Sequence, residues 1–523
     1  MVLTTFETDL LRSDLAGQQL LPEIVQVGNQ NNPTILTGEE LVWPIDWEMP
    51  LSLTKIIRQI RQWSFISIDF FNLIIMRKPK FIKFVIISII SGLLFSGCTK
   101  NLDQHVGQTE VTKWQGNKKS AVSITYDDGI ITQFTVARPI MNKLNLPATF
   151  FILTGKLDGT AEGKFIGRPK DEIIRETELT KTDETNFFER ASLIGFTGFS
   201  EGVLAHSNAG SLFEAGKITE AYQNIDTAYE ELRKSRLKNS DEVVYHDNPQ
   251  DTTKWEDLRK YGAEGHEIAS HSITHPRMAV LDEANLLYEL EQSKADIYKN
   301  LGEKYIFSVE CPYGTENERV MEHARLVYPA LRNRMPETYL DEINRSSDDD
   351  PEVSKNEYVQ WQRGPLTNTS MDLMKSWIDK CVANNNIWLV LVFHGVDNFG
   401  WEPKTAKELE TYFSYIKEKE NDLWVATFAD VTKYIRARKN IDIKNKMEGN
   451  TIVLTFKSDL DPKIYDVPLT LKTYVPNSWE KVEIRNTENV LMEVIDVQMD
   501  ETGVYVLHDI TLHNDQLFIS LLN

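Results

Sequence analysis

Residues 121–129 read AVSITYDDG, a short apolar, β-branched run that stops on two carboxylates and a glycine. This is the pattern of a strand with polar residues at its end, and the sequence on either side repeats its rhythm. Residues 131–145 suit one short helix, and LPATFFIL (146–153) reads as a second strand. WEDLRKYGAEG (255–265) is a helix that closes on glycines before HEIASHS (266–272), another strand. Asp282–Leu301 is amphipathic at helical spacing, with Leu287, Leu290, Ile297 and Leu301 on one face. IWLVLVFHG (387–395) is nearly continuous apolar sequence, as expected of a strand buried on both faces. LWVATFADVTKYIRAR (423–438) supplies a last strand and helix. Strands alternating with helices argue for an α/β unit with a parallel sheet or barrel, here over 119–439.

Two stretches break the rhythm. Residues 155–250 are polar, hold one good helix around Ile218–Leu237, and read as an insertion between barrel elements. From 440 to 523 the segments TIVLTFKS, VPLTLKTYV, KVEIRN and VYVLHD alternate like half-buried antiparallel strands, predicting a small all-β sandwich. Residues 99–118 are polar and read as a linker.

With 523 residues and 41% apolar side chains, the chain has enough material for two or three cores. A net charge of −21 argues against nucleic acid as a partner, since phosphate is bound mainly through cationic side chains. The three cysteines, Cys98, Cys311 and Cys381, make neither a disulfide framework nor a paired thiolate site. Cys311 and Cys381 read as small buried residues.

Residues 76–98, MRKPKFIKFVIISIISGLLFSGC, have the build of a secretory signal: a basic head, an apolar stretch and a small-residue end. The Cys98 terminus resembles a bacterial lipoprotein box. That resemblance implies lipidation at Cys98, export, and a lipid anchor in the cell-envelope membrane. The 75 residues before it include LPEIVQVGNQNNPTILTGEELVWP; residues 4–62 resemble a fragment of the endo-β-1,4-galactanases. Gln30 stands where those enzymes carry a catalytic acid, and a stretch of roughly 60 residues cannot close an eight-stranded barrel. Residues 1–75 are therefore read as a fusion remnant or an early start, with Met76 the initiator.

Three polar clusters sit at strand ends, where α/β barrels place their active sites. They are Thr125-Tyr126-Asp127-Asp128-Gly129, His271-Ser272-Ile273-Thr274-His275, and His394-Gly395. Two histidines four apart point the same way if they share a helical turn, and can share a cation. One carboxylate completes a three-ligand site with a position open for water. The second carboxylate is then free to act as a base, and His394 as the acid.

These motifs resemble those of the polysaccharide deacetylases of the chitooligosaccharide-deacetylase type, from about Ala121 to Arg438. TYDDG, SHSITH, CPYG and VFHG stand in the family's order. The resemblance implies a distorted (β/α) barrel of fewer than eight strands. It makes Asp127 the base, Asp128, His271 and His275 the ligands of one divalent metal (usually zinc), and His394 the general acid. Tyr313 would lend its backbone N–H to the oxyanion, and Trp361 is the candidate aromatic wall. The implied substrate is an acetylated polysaccharide or oligosaccharide. Two rival readings share these residues: an O-acetyl esterase acting on pectin or galactan, and a catalytically silent carbohydrate-binding lipoprotein. Glu310 departs from the pattern, for the family carries an arginine there. Either Glu310 turns away and Arg332, Arg334 or Arg363 reaches Asp127, or no cation does; the first is expected, since unpaired buried carboxylates are costly. All five proposed active-site residues precede Ile441, so the sandwich is expected to be dispensable for chemistry.

Overall fold

The computed structural model describes residues 102–239, 253–334, 342–344 and 350–522. The readings made on residues 1–75 and on the signal-like segment ending at Cys98 lie outside the described residues.

After β1 (Thr109–Val111) comes β2 (Ser120–Tyr126), buried along its whole length. A π-helical turn, Gln133–Ala137, runs into α1 (Arg138–Lys143) and then β3 (Thr149–Ile152). Four helices follow: α2 (Lys170–Leu179), α3 (Phe187–Gly195), α4 (Ser200–Glu214) and α5 (Ile218–Arg233). The alternation resumes with α6 (Trp255–Ala263), β4 (Glu267–Ser270), α7 (Glu283–Leu301), β5 (Ser308–Val309), α8 (Glu318–Val327), β6 (Ala330–Leu331) and β7 (Glu342–Asn344). It ends with β8 (Val359–Arg363), α9 (Met371–Ala383), β9 (Ile387–Phe393), α10 (Ala406–Glu418), β10 (Leu423–Val425) and α11 (Phe428–Asn440).

These strands form one curled sheet in the order β6-β5-β4-β3-β2-β9-β8-β7, with β10 against the start of β2. Every pairing in it is parallel, so the unit is a distorted (β/α) barrel. Among the described residues the sheet has nine strands, where fewer than eight were expected. The surplus lies in strands of two or three residues, too short to leave a periodic trace in sequence. Between β6 and β8 a side-chain seam replaces the ladder: Gln360 and Gln362 both donate to the carbonyl of Arg332, at 3.2 and 2.7 Å.

The period of two along each strand sorts side chains between the helix layer and the barrel interior. Val122, Ile124, Tyr126, Leu389, Leu391 and Phe393 pack outward with the residues of α9 and α10. Ala121, Trp388 and Val390 belong to a separate inner cluster with Phe428. By this parity Trp361 packs outward with Val359, Met374 and Trp377, and is 2% exposed. It cannot form an aromatic wall in the site, and that expectation is corrected here.

The described part of this stretch, 155–239, is built chiefly of α2–α5, not of one helix in polar loop. Phe187, Leu193, Ile194, Ile225 and Tyr229 form its own core. Helix α4, SEGVLAHSNAGSLFE, is rich in small and polar residues and shows no apolar stripe, which hid it. The 99–118 linker is likewise corrected: it carries β1, and Trp114 is fully buried beside Trp388.

C-terminal residues form the expected sandwich from β11 (Asp442–Glu448), β12 (Thr451–Lys457), β13 (Leu469–Tyr474), β14 (Lys481–Asn486), β15 (Leu491–Asp496), β16 (Gln498–Met499), β17 (Val504–Ile510) and β18 (Gln516–Leu521). Its sheets run β11-β12-β18-β14-β15 and β1-β13-β17-β16, so one edge strand comes from the start of the described chain. Tyr434 and Ala437 of α11 reach into the sandwich core.

Candidate active site

The carboxyl ends of β2, β4, β5, β6 and β9 converge on one site. At the end of β2 the Asp127 N–H donates to the carbonyl of Phe393 at 3.0 Å, which ties the Asp-Asp turn to β9. Asp128 turns with φ 75° and Gly129 with φ 64°. A side chain at Gly129 would meet Ile152 at 3.1 Å, so the bend needs glycine on both counts. Gln133, from the π-helical turn, is fully buried and donates to the carbonyls of Asp127 and His394. It thereby links the base candidate to the acid candidate, a placement in keeping with the habit of π-bulges to mark functional sites.

His271 and His275 do not share a helical turn. They flank a loop after β4 in which Ser272 (φ 74°) and His275 (φ 62°) take left-handed backbone. The loop is wound around a carboxylate that sequence reading missed. Glu289 of α7, fully buried, accepts from the Ile273 N–H (2.8 Å), the Thr274 N–H (2.9 Å) and the Thr274 hydroxyl (2.7 Å). Ser272 Oγ accepts from the His275 N–H at 3.0 Å. This winding brings both imidazoles to one carboxylate. His271 Nε2 lies 3.6 Å and His275 Nε2 3.4 Å from Asp128 Oδ1.

The donor set fits a divalent metal. Bonds of about 2.0–2.2 Å in a tetrahedron place ligand atoms about 3.4 Å apart, close to the separations found. One donor atom from each of Asp128, His271 and His275 lies within 4.8 Å of the others. His271 Nδ1–H donates to the carbonyl of Glu310 at 2.9 Å, which leaves the Nε2 lone pair directed at the site. Burial lowers the pKa of both histidines below the ordinary range, so the imidazoles are neutral and ready to ligate.

Asp127 is held apart from this set. Arg332, two per cent exposed, donates to both Asp127 oxygens at 2.6 Å, and to Thr125 Oγ1 at 2.8 Å. Burial alone would raise the pKa of Asp127. The Arg332 guanidinium, with His271 and His394 nearby, outweighs it and keeps the carboxyl ionised. Of the three arginines considered from sequence, Arg332 reaches the base. Arg334 pairs with Glu318, and Arg363 lies over Trp361 and donates to the Gln362 carbonyl. Glu310 does not turn away, which corrects the other half of that expectation. Its carboxylate grips the same guanidinium from behind, at 3.1 Å from Nε and 3.0 Å from the Nη2 nitrogen. Asn333 Nδ2 donates to Glu310 at 3.1 Å.

His394 follows β9, with Nε2 3.5 Å from Asp127 Oδ2. Burial lowers its pKa too, against the pull of Asp127. The aromatic ring beside it is Trp401, 4.6 Å away edge to face, from the loop after His394. Its signal in the sequence was proximity alone, a tryptophan in the loop after VFHG. Tyr313, with φ 61°, packs its ring 4.6 Å from His275 and lies under the Arg277 guanidinium at 4.4 Å.

Arg277 comes two residues after His275 and is clamped by α4. Its guanidinium donates to Glu214 (2.7 Å) and Ser211 (2.8 Å), and its stem crosses Gly210, where any Cβ would lie 2.3 Å from it. Glu214 also accepts from the Thr315 hydroxyl, two residues past Tyr313. His206 Nε2 accepts from the Arg277 N–H at 3.0 Å while its Nδ1–H donates to the Ala191 carbonyl at 2.8 Å. The helical insertion thus fastens the histidine loop and the Pro-Tyr-Gly loop together.

Residues 212–329 match the family model described as polysaccharide deacetylase. The matched stretch holds His271, His275, Glu310 and Tyr313; Asp127, Asp128, Arg332 and His394 lie outside it. A curated relative, a gellan lyase of Bacillus sp, is 24% identical over 250 residues, covering 44% of this chain. The match takes in only 10% of that relative's length. Solved structures that match include a family 4 carbohydrate esterase from Bacillus anthracis, 14% identical, covering 64% of this chain and 90% of that one at a TM-score of 0.26. PdaA of Bacillus subtilis, also a family 4 carbohydrate esterase, is 13% identical over 63% of this chain and 87% of its own, with a TM-score of 0.28.

Proposed function

We propose that the chain is a metal-dependent hydrolase that removes N- or O-linked acetyl groups from a polysaccharide or oligosaccharide. One observation carries the reading. A His-His-Asp donor set stands beside a second carboxylate, Asp127, that an arginine holds ionised, with an imidazole 3.5 Å from it. A structural ion pair has no need of the three neutral imidazoles gathered there.

Asp128, His271 and His275 would hold the ion, zinc by its preference for this nitrogen and oxygen set. When bound, it supplies Lewis-acid polarisation of the acetyl carbonyl and a water of lowered pKa. Asp127 accepts the proton of the attacking water. The Tyr313 backbone N–H donates to the oxygen on which negative charge develops. His394 Nε2, facing Asp127, receives that proton and passes it to the leaving amine or alcohol as acetate departs.

The test is acetate release from N-acetylated chito-oligosaccharide, acetylated xylan and acetylated pectin. Asp127→Asn should lower the rate on the preferred substrate by on the order of 100-fold or more while retaining the metal. Retained activity in that variant would assign the base elsewhere. We further propose that the chain is exported and lipid-anchored at Cys98. Fatty-acid labelling of the chain, lost in Cys98→Ser, supports this; an unlabelled, soluble chain contradicts it.

A further inference from the structure

The helical insertion reaches the site through Arg277, which is 6% exposed and stands two residues after His275. Helix α4 holds this side chain along its length. The guanidinium donates to Glu214 at 2.7 Å and to Ser211 at 2.8 Å, the backbone N–H donates to His206 Nε2 at 3.0 Å, and the stem lies on Gly210. The same guanidinium covers the Tyr313 ring at 4.4 Å, and His275 packs on that ring at 4.6 Å.

Tyr313 needs such a grip. It has φ 61° and Gly314 has φ 63°, two consecutive left-handed residues. Glycine takes this backbone freely, whereas a tyrosine does so at a cost and stays there only where its surroundings hold it. The φ of Tyr313 also sets where its N–H points relative to its ring, so holding the ring aims the N–H. Glu214 closes the clamp. The carboxylate that receives Arg277 also accepts from the hydroxyl of Thr315, the residue directly after Gly314. The left-handed pair is thus gripped at the ring by Arg277 and at its far end through Thr315. The histidine loop has its own anchor in Glu289.

We infer that Arg277 and Glu214 are positioning residues for the oxyanion donor: through them the insertion acts on the transition state, by aiming the Tyr313 N–H, and not on metal or substrate binding. This rests on the deacetylase reading above, in which that N–H meets the developing negative charge.

The Glu214 side chain is 20% exposed at the end of α4, so it can be changed without opening a core. Acetate release is measured at saturating zinc on N-acetylated chitotetraose, acetylated xylotetraose and acetylated tetragalacturonate, with zinc affinity measured in parallel. Glu214→Ala should lower kcat on the accepted substrate by on the order of 10–100-fold, the effect of a misplaced group, with KM and zinc affinity within about twofold, since only a transition-state contact is lost. Glu214→Gln should recover most of that loss, because its amide oxygen can receive Arg277 and its NH2 can donate to the Thr315 hydroxyl. Should Glu214→Ala fail to fold, Thr315→Val cuts the same link with little change of shape, and its kcat should fall by about three- to tenfold. A kcat equal to the parent's in the folded variant, or a loss confined to KM or zinc affinity, overturns the clamp while the deacetylase reading stands. A parent that releases acetate from none of the three substrates overturns that reading, and the clamp's role falls with it.

Discussion

Arg332 donates to both oxygens of Asp127 at 2.6 Å while Glu310 holds its other edge, so one buried guanidinium serves two carboxylates. The arginine that the family motif supplies from the position of Glu310 is replaced here by one from the end of β6. Arg332→Met leaves two buried carboxylates facing each other. It should lower stability by about 3–5 kcal/mol and activity on the order of 100-fold. Glu310→Arg should also be damaging, since it sets a second guanidinium against Arg332, whereas Glu310→Gln keeps a hydrogen-bond acceptor and should cost less than tenfold, roughly one bond's worth. Urea unfolding and acetate release check all three. Full activity in Glu310→Arg would show that the pairing is incidental.

Glu289 touches none of the proposed reactants, yet it winds the loop that carries both histidines. Glu289→Ala should weaken zinc affinity by about 10–100-fold, the usual effect of losing an outer partner, measured by competition with a chromophoric chelator. Unaltered affinity in a folded Glu289→Ala chain would assign the loop's shape to its own backbone.

The sandwich is expected to contribute to folding and not to chemistry. Truncation after Arg438 removes the partner of β1 and uncovers Tyr434 and Ala437. The truncated chain should melt lower by on the order of 10 °C, while its folded fraction keeps the parent kcat on 4-nitrophenyl acetate. A loss of kcat in folded material would place part of the sandwich in the site.

Burial pushes the pKa of His206 down to about 4, well below its ordinary value. The unfolded chain therefore takes up this proton first. The stability tied to neutral His206 is complete above pH 6.5 and is lost as pH falls toward 4, by up to about 3 kcal/mol. Buried Glu267 and Glu289, whose pKa values are raised, act in the opposite sense, so the comparison must be with a variant. Relative to His206→Gln, the parent should lose unfolding free energy between pH 7 and 4.5. Parallel pH curves for the two chains would contradict a neutral, doubly bonded His206.

The barrel was legible because its longer strands are short apolar runs ending in polar motifs, as AVSITYDDG and IWLVLVFHG show. Asp127, Asp128, His271, His275 and His394 were legible for the same reason, and the structure brings all five together. Arg332 could be named only as one of three arginines, since sequence carries no distance between β2 and β6. Glu289 was hidden inside an ordinary amphipathic helix. Trp361 misled because a tryptophan's side of a strand depends on register, and its register points outward. Helix α4 was invisible because small and polar residues mask its period, yet it supplies the clamp on Arg277.

The central claim is that Asp128, His271 and His275 hold a metal that the acetyl-removing reaction requires. The direct measurement is acetate released from an accepted oligosaccharide by chelator-stripped chain, before and after one equivalent of zinc is restored. The account predicts release near zero when stripped and recovery with zinc, with no recovery in His271→Ala. Release at the full rate from the stripped chain would contradict it.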